Sequence, residues 1–128
     1  MGLLALDPVD DRSPGHARRW VRAELVVRHL PAGLVEDAVL VVSELVTNSA
    51  RYVGGRVVVG LQVRETDLQL LVQDAGVLPL FPAAGDGEHG RGLPIVAALT
   101  ASAVCEQGPT GKRVTCTFLL PSKELAHA

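Results

Sequence analysis

The sequence predicts an α+β fold, a two-layer sandwich in which helices cover one face of a mixed, mainly antiparallel sheet. Three observations lead to this prediction. Two helical segments open the chain, two pairs of strands with period-two alternation follow, and a third helix separates the pairs. Strand pairs joined by short turns, with helices grouped to one side, are typical of this class rather than of a doubly wound fold.

Two helices are predicted at the start of the chain. Ser13 followed by Pro14 supplies a capping oxygen and a proline in the first turn, so the first helix is predicted over 13–30. The second helix is predicted over 34–52, after which two glycines end it. The apolar stripe predicted for the first helix consists of Trp20, Ala23, Val27 and Leu30.

Four strands are predicted in two pairs, 57–63 with 68–74 and 103–106 with 113–120. Alternation assigns to one inward face the side chains of Val57, Val59, Leu61, Val63, Leu68, Leu70, Val72, Val114, Cys116, Phe118 and Leu120. The series in the second strand ends, in phase, at Asp74. Two interpretations stay open: Asp74 caps the turn after the strand, or its carboxylate points into a pocket at the end of the sheet.

A long loop and a third helix are predicted between the strand pairs. Residues 75–90 combine glycines and prolines with short polar side chains, and such loops serve either as lids over a site or as surface connections. Pro94 is tolerated in the first turn of a helix, so it sets the helix start near Gly92. Gly90 and Gly92 then flank a turn whose free backbone N–H groups suit phosphate, although glycines also end loops for steric reasons.

The composition limits the classes of protein that fit. The chain has 128 residues, 48% of them apolar, which predicts a single domain with a core region over about 12–121. The net charge of -2 argues against direct binding to nucleic acid or to an anionic membrane. Charged and amide residues interrupt every apolar run, and the start of the chain lacks the features of a signal peptide, so we expect a cytoplasmic protein.

The cysteines and histidines do not form a metal-binding pattern. Cys105 and Cys116 fall on the two arms of the last predicted hairpin, diagonal to each other if its turn centres on Pro109. In a cytosolic chain they are expected to be buried free thiols. The four histidines are His16, His29, His89 and His127, and their spacing excludes a His–Cys metal site.

A narrow polar stripe runs along the second helix. Glu44 and Asn48 lie one turn apart on the same face, and Asp37 and Arg51, seven residues before and after Glu44, extend the stripe. The rest of that helix is apolar or small, which is typical of a buried helix. Because buried polar groups need partners, the stripe either faces water or lines a cavity where something binds.

Three of these features together satisfy the chemistry of a site for a magnesium nucleotide. Asn48 offers an oxygen ligand for Mg²⁺, which takes few protein oxygens and uses phosphate oxygens for the rest. Asp74 offers a carboxylate for a donor group, and the turn at Gly90 and Gly92 offers amides for phosphates. The loop before that turn would serve as a lid.

These segments resemble a known family. Glu44-Leu45-Val46-Thr47-Asn48, Asp74-x-Gly76 and Gly90-Arg91-Gly92-Leu93, in this order and spacing, resemble the N, G1 and G2 boxes of the GHKL (Bergerat-fold) ATP-binding superfamily. Within it, the size of the chain and the segments 17–21, 42–48 and 111–112 are similar to the anti-sigma-factor serine/threonine kinases and their actinobacterial relatives. The resemblance covers residues 12–120.

The resemblance implies a role for each matching residue. Asn48 would ligate Mg²⁺, and Glu44 would act as the general base that accepts the proton of a substrate serine. Asp74 would accept a hydrogen bond from the adenine amino group of ATP, and Gly76 would let the backbone approach the base. The phosphates would lie at Gly90, Arg91, Gly92 and Leu93, under a lid of residues 77–89. The implied partners are a sigma factor, an anti-sigma-factor antagonist, or both, and a homodimer is compatible with the resemblance.

The chain departs from the family pattern at several positions. Val77 follows Gly76 where a second glycine is usual, and Glu88 and His89 stand where the sporulation-type kinases carry an arginine. Tyr52 and Val114 replace a histidine and a threonine. Three hypotheses follow: a kinase that phosphorylates the antagonist, a nucleotide-gated interaction module without phosphotransfer, and a scaffold that binds no nucleotide. The retained residues of the three boxes speak against the third.

Overall fold

The protein is described by a computed structural model that defines residues 2–77 and 92–121. Its elements are β1 (Gly2–Leu6), α1 (Ser13–Val27), α2 (Ala32–Tyr52), β2 (Val57–Val63), β3 (Asp67–Asp74), α3 (Gly92–Leu99), β4 (Ser102–Gly108) and β5 (Gly111–Leu119). The strands form one sheet in the order β1-β2-β3-β5-β4. All described pairings are antiparallel. The predicted α+β class is confirmed, and in the described part the sheet is antiparallel rather than mixed.

The first strand was not predicted. β1 pairs with β2 along its whole length, with Leu4 opposite Val59 and Leu6 opposite Val57. A five-residue apolar segment gives too short a pattern to distinguish a strand from a loop, and its partner lies far along the chain. Gly2 leaves room for a neighbour, because a Cβ there would lie 3.1 Å from the Trp20 ring. This strand thus extends the sheet by one position beside the first helix.

Helix α1 is shorter than predicted and buries a different face. It ends at Val27 and not near residue 30, and His29 adopts a left-handed backbone with φ of 58°. Its buried apolar residues are Ala17, Val21 and Leu25. The predicted stripe of Trp20, Ala23, Val27 and Leu30 was wrong: Ala23 and Val27 are exposed, while Trp20 and Leu30 are only partly buried. The reason is geometric, since α1 packs against α2 through a row of its own residues that are spaced four apart.

Helix α2 lies at the centre of the molecule. It packs against α1, β3 and α3. It begins at Ala32, two residues before the predicted start, and ends at Tyr52 as predicted. Val41, Val42 and Val46 are completely buried on it. Most of the helical layer is therefore organised around α2, and its position fixes that of the polar stripe.

The core lies between the helices and the inward face of the sheet. The inward residues predicted for β2, β3 and β5 are confirmed, with Leu70 and Cys116 fully buried and Phe118 nearly so. Val63, at the end of β2, and Leu120, just after β5, are partly buried. The polar and charged Gln62 and Arg113 lie on the opposite, exposed face, as their alternation requires. No helix in residues 2–77 and 92–121 has the length and apolar character needed to cross a membrane.

The two thiols differ in environment. Cys105 lies opposite Val114 and Ala103 opposite Cys116, so the two cysteines are diagonal as predicted, and both are free. Burial raises the pKa of Cys116 to about 12. Burial also raises the pKa of Cys105, and the charge of nearby Lys112 opposes that increase.

We expect Cys116 to be almost inert toward iodoacetamide in the folded protein. At pH 8 its raised pKa lowers the reactive thiolate fraction about a thousandfold relative to an ordinary thiol, before steric protection is counted. Mass spectrometry of peptides from alkylated protein measures the rate, and the partly buried Cys105 is the internal control. In concentrated urea both cysteines should react equally fast. Rapid labelling of Cys116 in the native protein would contradict the buried position.

Candidate functional site

The three segments singled out in the sequence lie on elements that meet around α2. Glu44 and Asn48 are on the second half of α2, Asp74 is the last residue of β3, and α3 begins at Gly92. Helix α2 contacts both β3 and α3. The end of β3, the start of β5 and the last turns of α2 converge at one end of the sheet.

Asp74 is the centre of this region. Asp74 is 5% exposed. Its carboxylate accepts four hydrogen bonds. Oδ1 accepts from the Gly76 backbone N–H at 2.9 Å and from Lys112 Nζ at 2.8 Å. Oδ2 accepts from the Ser49 hydroxyl at 2.6 Å and from the same Nζ at 2.8 Å. The interpretation of Asp74 as the cap of the turn is confirmed by the bond from Gly76 N–H, and the same carboxylate also binds Ser49 of α2 and Lys112 of β5. That it points into a ligand pocket stays a prediction.

Lys112 is the cationic partner of Asp74. The two residues are directly opposite each other in the β3–β5 ladder. Lys112 is only 7% exposed, so its ammonium is largely removed from water and depends on the carboxylate for compensation. Asp74, Lys112, Ser49 and Gly76 are called the Asp74 cluster below.

Sequence reasoning missed Ser49 and Lys112 as members of this cluster. The signals were present in part: Lys112 is in phase with the inward residues Val114 and Cys116, and Ser49 lies four residues after the buried Leu45. Alternation alone does not show that the inward lysine and the inward aspartate belong to adjacent strands at the same level. That information comes from the register of the sheet.

Two glycines make room for the Asp74 cluster. A Cβ on Gly76 would lie 2.6 Å from Lys112 Nζ and 2.9 Å from a methyl group of Val53. At Gly111, where φ is 148°, a Cβ would lie 1.9 Å from the Asp74 carbonyl oxygen. A side chain at Gly111 is excluded by backbone, which cannot yield as a side chain can. The close approach of β5 to the end of β3 therefore depends on glycine, and it holds Lys112 in place.

Glu44 and Asn48 have a different character from the Asp74 cluster. Both are half-buried, and within residues 2–77 and 92–121 neither side chain has a hydrogen-bond or ion-pair partner. Their neighbour Ser49 fixes this turn of α2 to the sheet through its bond to Asp74. Asp37 is half-buried and Arg51 is exposed, so the stripe opens to solvent at its Arg51 end. Half-buried oxygens without protein partners are suited to a ligand.

The turn that is predicted to bind phosphate is only partly described. The structure places the start of α3 at Gly92, as predicted, and gives the backbone there and at Leu93. Gly90 and Arg91 lie outside the described residues, as does the predicted lid except for Val77. Val77, which replaces the usual second glycine, is 72% exposed. Its side chain thus points largely toward solvent.

The described residues contain no group of three or more histidine, cysteine, aspartate and glutamate side chains that could hold a metal ion. From the described residues alone, a cation at this site would receive one or two protein oxygens, with the remaining ligands supplied by a bound molecule. That donor set suits Mg²⁺ with phosphates, since Mg²⁺ is commonly bound in this way.

Comparisons with known proteins identify the same architecture. The family model of the histidine kinase-like ATPase domain matches residues 8–118. Among solved structures, the chain is similar to the RsbU and RsbW domains of Rv1364c from Mycobacterium tuberculosis, with a TM-score of 0.68 and 20% identity. The match covers 95% of this chain and 34% of that one, so this chain spans about a third of its length. No curated protein matches the chain.

Removing either charge of the buried pair should strongly destabilise the fold. We expect Lys112→Met or Asp74→Asn to lower the free energy of unfolding by about 3–5 kcal/mol, because each leaves the other charge buried without its counter-ion. Urea unfolding followed by circular dichroism gives the measurement. The matched control is Arg28→Met, which breaks the exposed pair with Glu24 and should cost less than about 1 kcal/mol.

The double change Asp74→Leu with Lys112→Met should recover much of the loss, since apolar residues of similar volume replace the pair. Single variants as stable as the control would show that the pair does not hold this end of the sheet.

Proposed function

The chain belongs to the histidine kinase-like ATPase domain family, and we propose that it is an ATP-binding regulatory protein of the anti-sigma-factor serine/threonine kinase type. The observation that carries the proposal is the half-buried pair Glu44 and Asn48, whose oxygens have no partner within the described residues. Burial without partners costs free energy, and a bound ligand that supplies partners offsets that cost. The three family boxes in order supply the rest of the support.

In this proposal, different residues bind the base, the phosphates and the magnesium ion of the nucleotide. The base lies toward Asp74 and Gly76, and the phosphates lie toward the start of α3, at Gly90, Arg91, Gly92 and Leu93. Asn48 would contribute the protein oxygen to Mg²⁺, for which one amide is chemically sufficient when phosphates supply further ligands. The half-buried amide without a described partner fits this role.

Glu44 is proposed as the general base. Bound Mg–ATP would supply the γ-phosphoryl group: its phosphorus would bond to the serine oxygen, its bond to the β–γ bridging oxygen would break, and ADP would leave. Glu44 accepts the proton of the serine hydroxyl in that step, a contribution of roughly 10²–10⁴-fold in rate. Its position one helical turn before Asn48 holds the carboxylate beside the proposed metal ligand. Its lack of a described ion-pair partner leaves it free to accept a proton.

The proposed partners are a sigma factor, an anti-sigma-factor antagonist, or both. This part of the proposal draws on the sequence resemblance and on the similarity to a structure that includes an RsbW domain. Serine on the antagonist is the proposed phosphate acceptor.

A nucleotide-gated interaction module without phosphotransfer is the second candidate. Glu88 and His89 stand where an arginine would stabilise the transferring phosphoryl group in the sporulation-type kinases. A protein with the same ATP site and no phosphotransfer would regulate its partners by binding alone.

Isothermal titration calorimetry should detect Mg²⁺-dependent ATP or ADP binding in the micromolar range, roughly -8 kcal/mol at 1 μM. Asn48→Ala should weaken the magnesium-dependent part at least tenfold, because it removes the only proposed protein ligand. Gln62→Ala, which removes an exposed amide on the opposite face of the sheet, is the control and should leave binding unchanged. Wild-type protein that gives no heat and no thermal shift with adenine nucleotides would overturn the proposal.

Phosphotransfer is tested with labelled ATP and candidate antagonist proteins. We expect label on a serine with wild-type protein and a loss of at least a hundredfold with Glu44→Ala, while ATP affinity stays within threefold. Glu36→Ala, an exposed carboxylate on the same helix, is the control. Nucleotide binding without any labelling would favour the interaction module, and labelling that survives Glu44→Ala would exclude this residue as the base.

A further inference from the structure

The Asp74 carboxylate has no free acceptor position for a base. A carboxylate offers about four lone-pair sites. All are used here: Gly76 N–H and Lys112 on Oδ1, Ser49 and Lys112 on Oδ2, at 2.6–2.9 Å. An amino group of a bound base can therefore reach Asp74 only if one of these donors leaves.

Lys112 is the donor that can leave. The Gly76 N–H is part of the backbone, and the Ser49 hydroxyl sits on a short side chain at a buried position of α2. Lys112 has a four-carbon stem with freely rotating donors. Its departure would leave a desolvated ammonium without its carboxylate, and breaking a buried pair in this way is costly.

The Lys112 ammonium also occupies the place where a base would arrive. Its Nζ lies 2.6 Å from the position that a Cβ of Gly76 would take. In the proposed function, the absent side chain of Gly76 is what admits the base. The amino group of Lys112 therefore fills part of that space and faces whatever enters it.

Lys112 keeps a donor for such a ligand. An ammonium has three N–H groups, and its described hydrogen bonds go to the two oxygens of Asp74. Within residues 2–77 and 92–121 no other acceptor is bonded to it. A ligand with an acceptor atom at this point would use the remaining N–H and leave the pair with Asp74 intact.

We propose that Lys112 is a specificity-determining residue that makes this site accept 6-oxopurine nucleotides, guanine and hypoxanthine, at least as well as adenine nucleotides. The inference rests on the proposed nucleotide site. A carboxylate alone repels the 6-oxo group and attracts the 6-amino group, because it can only accept hydrogen bonds. With Lys112 in front of it, the 6-oxo group accepts from Nζ, whereas the 6-amino group must displace Nζ before it can reach Asp74.

The test is a calorimetric titration of the wild-type protein with ATP, GTP and ITP in the presence of Mg²⁺. We expect the Kd values for GTP and ITP to be within threefold of that for ATP or lower. GTP and ITP binding more than tenfold weaker than ATP overturns the inference while the proposed ATP site stands. Absence of binding by all three overturns both.

Lys112→Met supplies the second measurement. Without the ammonium, Asp74 is open to the amino group and repels the 6-oxo group, so the ratio of GTP to ATP affinity should fall at least tenfold. Arg113→Met, the adjacent exposed cation on the outer face, is the control and should leave the ratio unchanged. Because Lys112→Met weakens the fold, its circular dichroism spectrum and melting are checked first, and Lys112→Gln replaces it if it is unfolded. An unchanged ratio in a folded Lys112 variant overturns the assignment.

Discussion

The buried ion pair between Asp74 and Lys112 is the constraint on which this end of the molecule depends. It joins the last residue of β3 to the second residue of β5, and Ser49 joins the same carboxylate to α2. A charge pair in the interior is tolerable only when its hydrogen-bonding capacity is satisfied. Here that requirement dictates a serine on the helix and glycine at both Gly76 and Gly111, so one electrostatic condition determines several residue choices in distant parts of the chain.

The sequence was most informative where one pattern extended over a whole element. Alternation in β2, β3 and β5 identified the inward face, and the position of Pro94 identified the start of α3. The sequence was least informative in α1, where apolar residues occur all around the helix and more than one row of them could have faced the core. Ala17, Val21 and Leu25 are the residues that are buried, because the packing of α1 against α2 places that row in the core. Strand β1 could not be predicted, because its pairing with β2 is decided only when the sheet forms.

In the candidate site too, some residues could be predicted from the sequence and others could not. Glu44, Asn48 and Asp74 could be found because each interrupts an apolar pattern at a position where burying a polar side chain costs free energy unless it has a partner. Ser49 and Lys112 could not be found in this way, because the role of each depends on its contact with Asp74, which the sequence does not show. This affects the functional interpretation: the family resemblance assigns Asp74 to a base, whereas the structure shows its acceptor sites already satisfied by the protein. If a nucleotide binds here as proposed, an amino group of its base would compete with Lys112 for the Asp74 carboxylate.

The position of Lys112 in the chain also bears on how the molecule is assembled. Asp74 and Lys112 are separated by 38 residues, because β3 pairs on one side with β2, its neighbour in sequence, and on the other side with β5, which follows α3 and β4 in the chain. The α1–α2 pair and the β2–β3 hairpin are built from nearer contacts, so they bear a smaller entropic cost of loop closure. We therefore expect the end of the sheet that holds Asp74 and Lys112 to order late in folding, which pulse-labelled amide exchange on β5 would detect. A nascent chain would then acquire its helical layer before this buried ion pair forms.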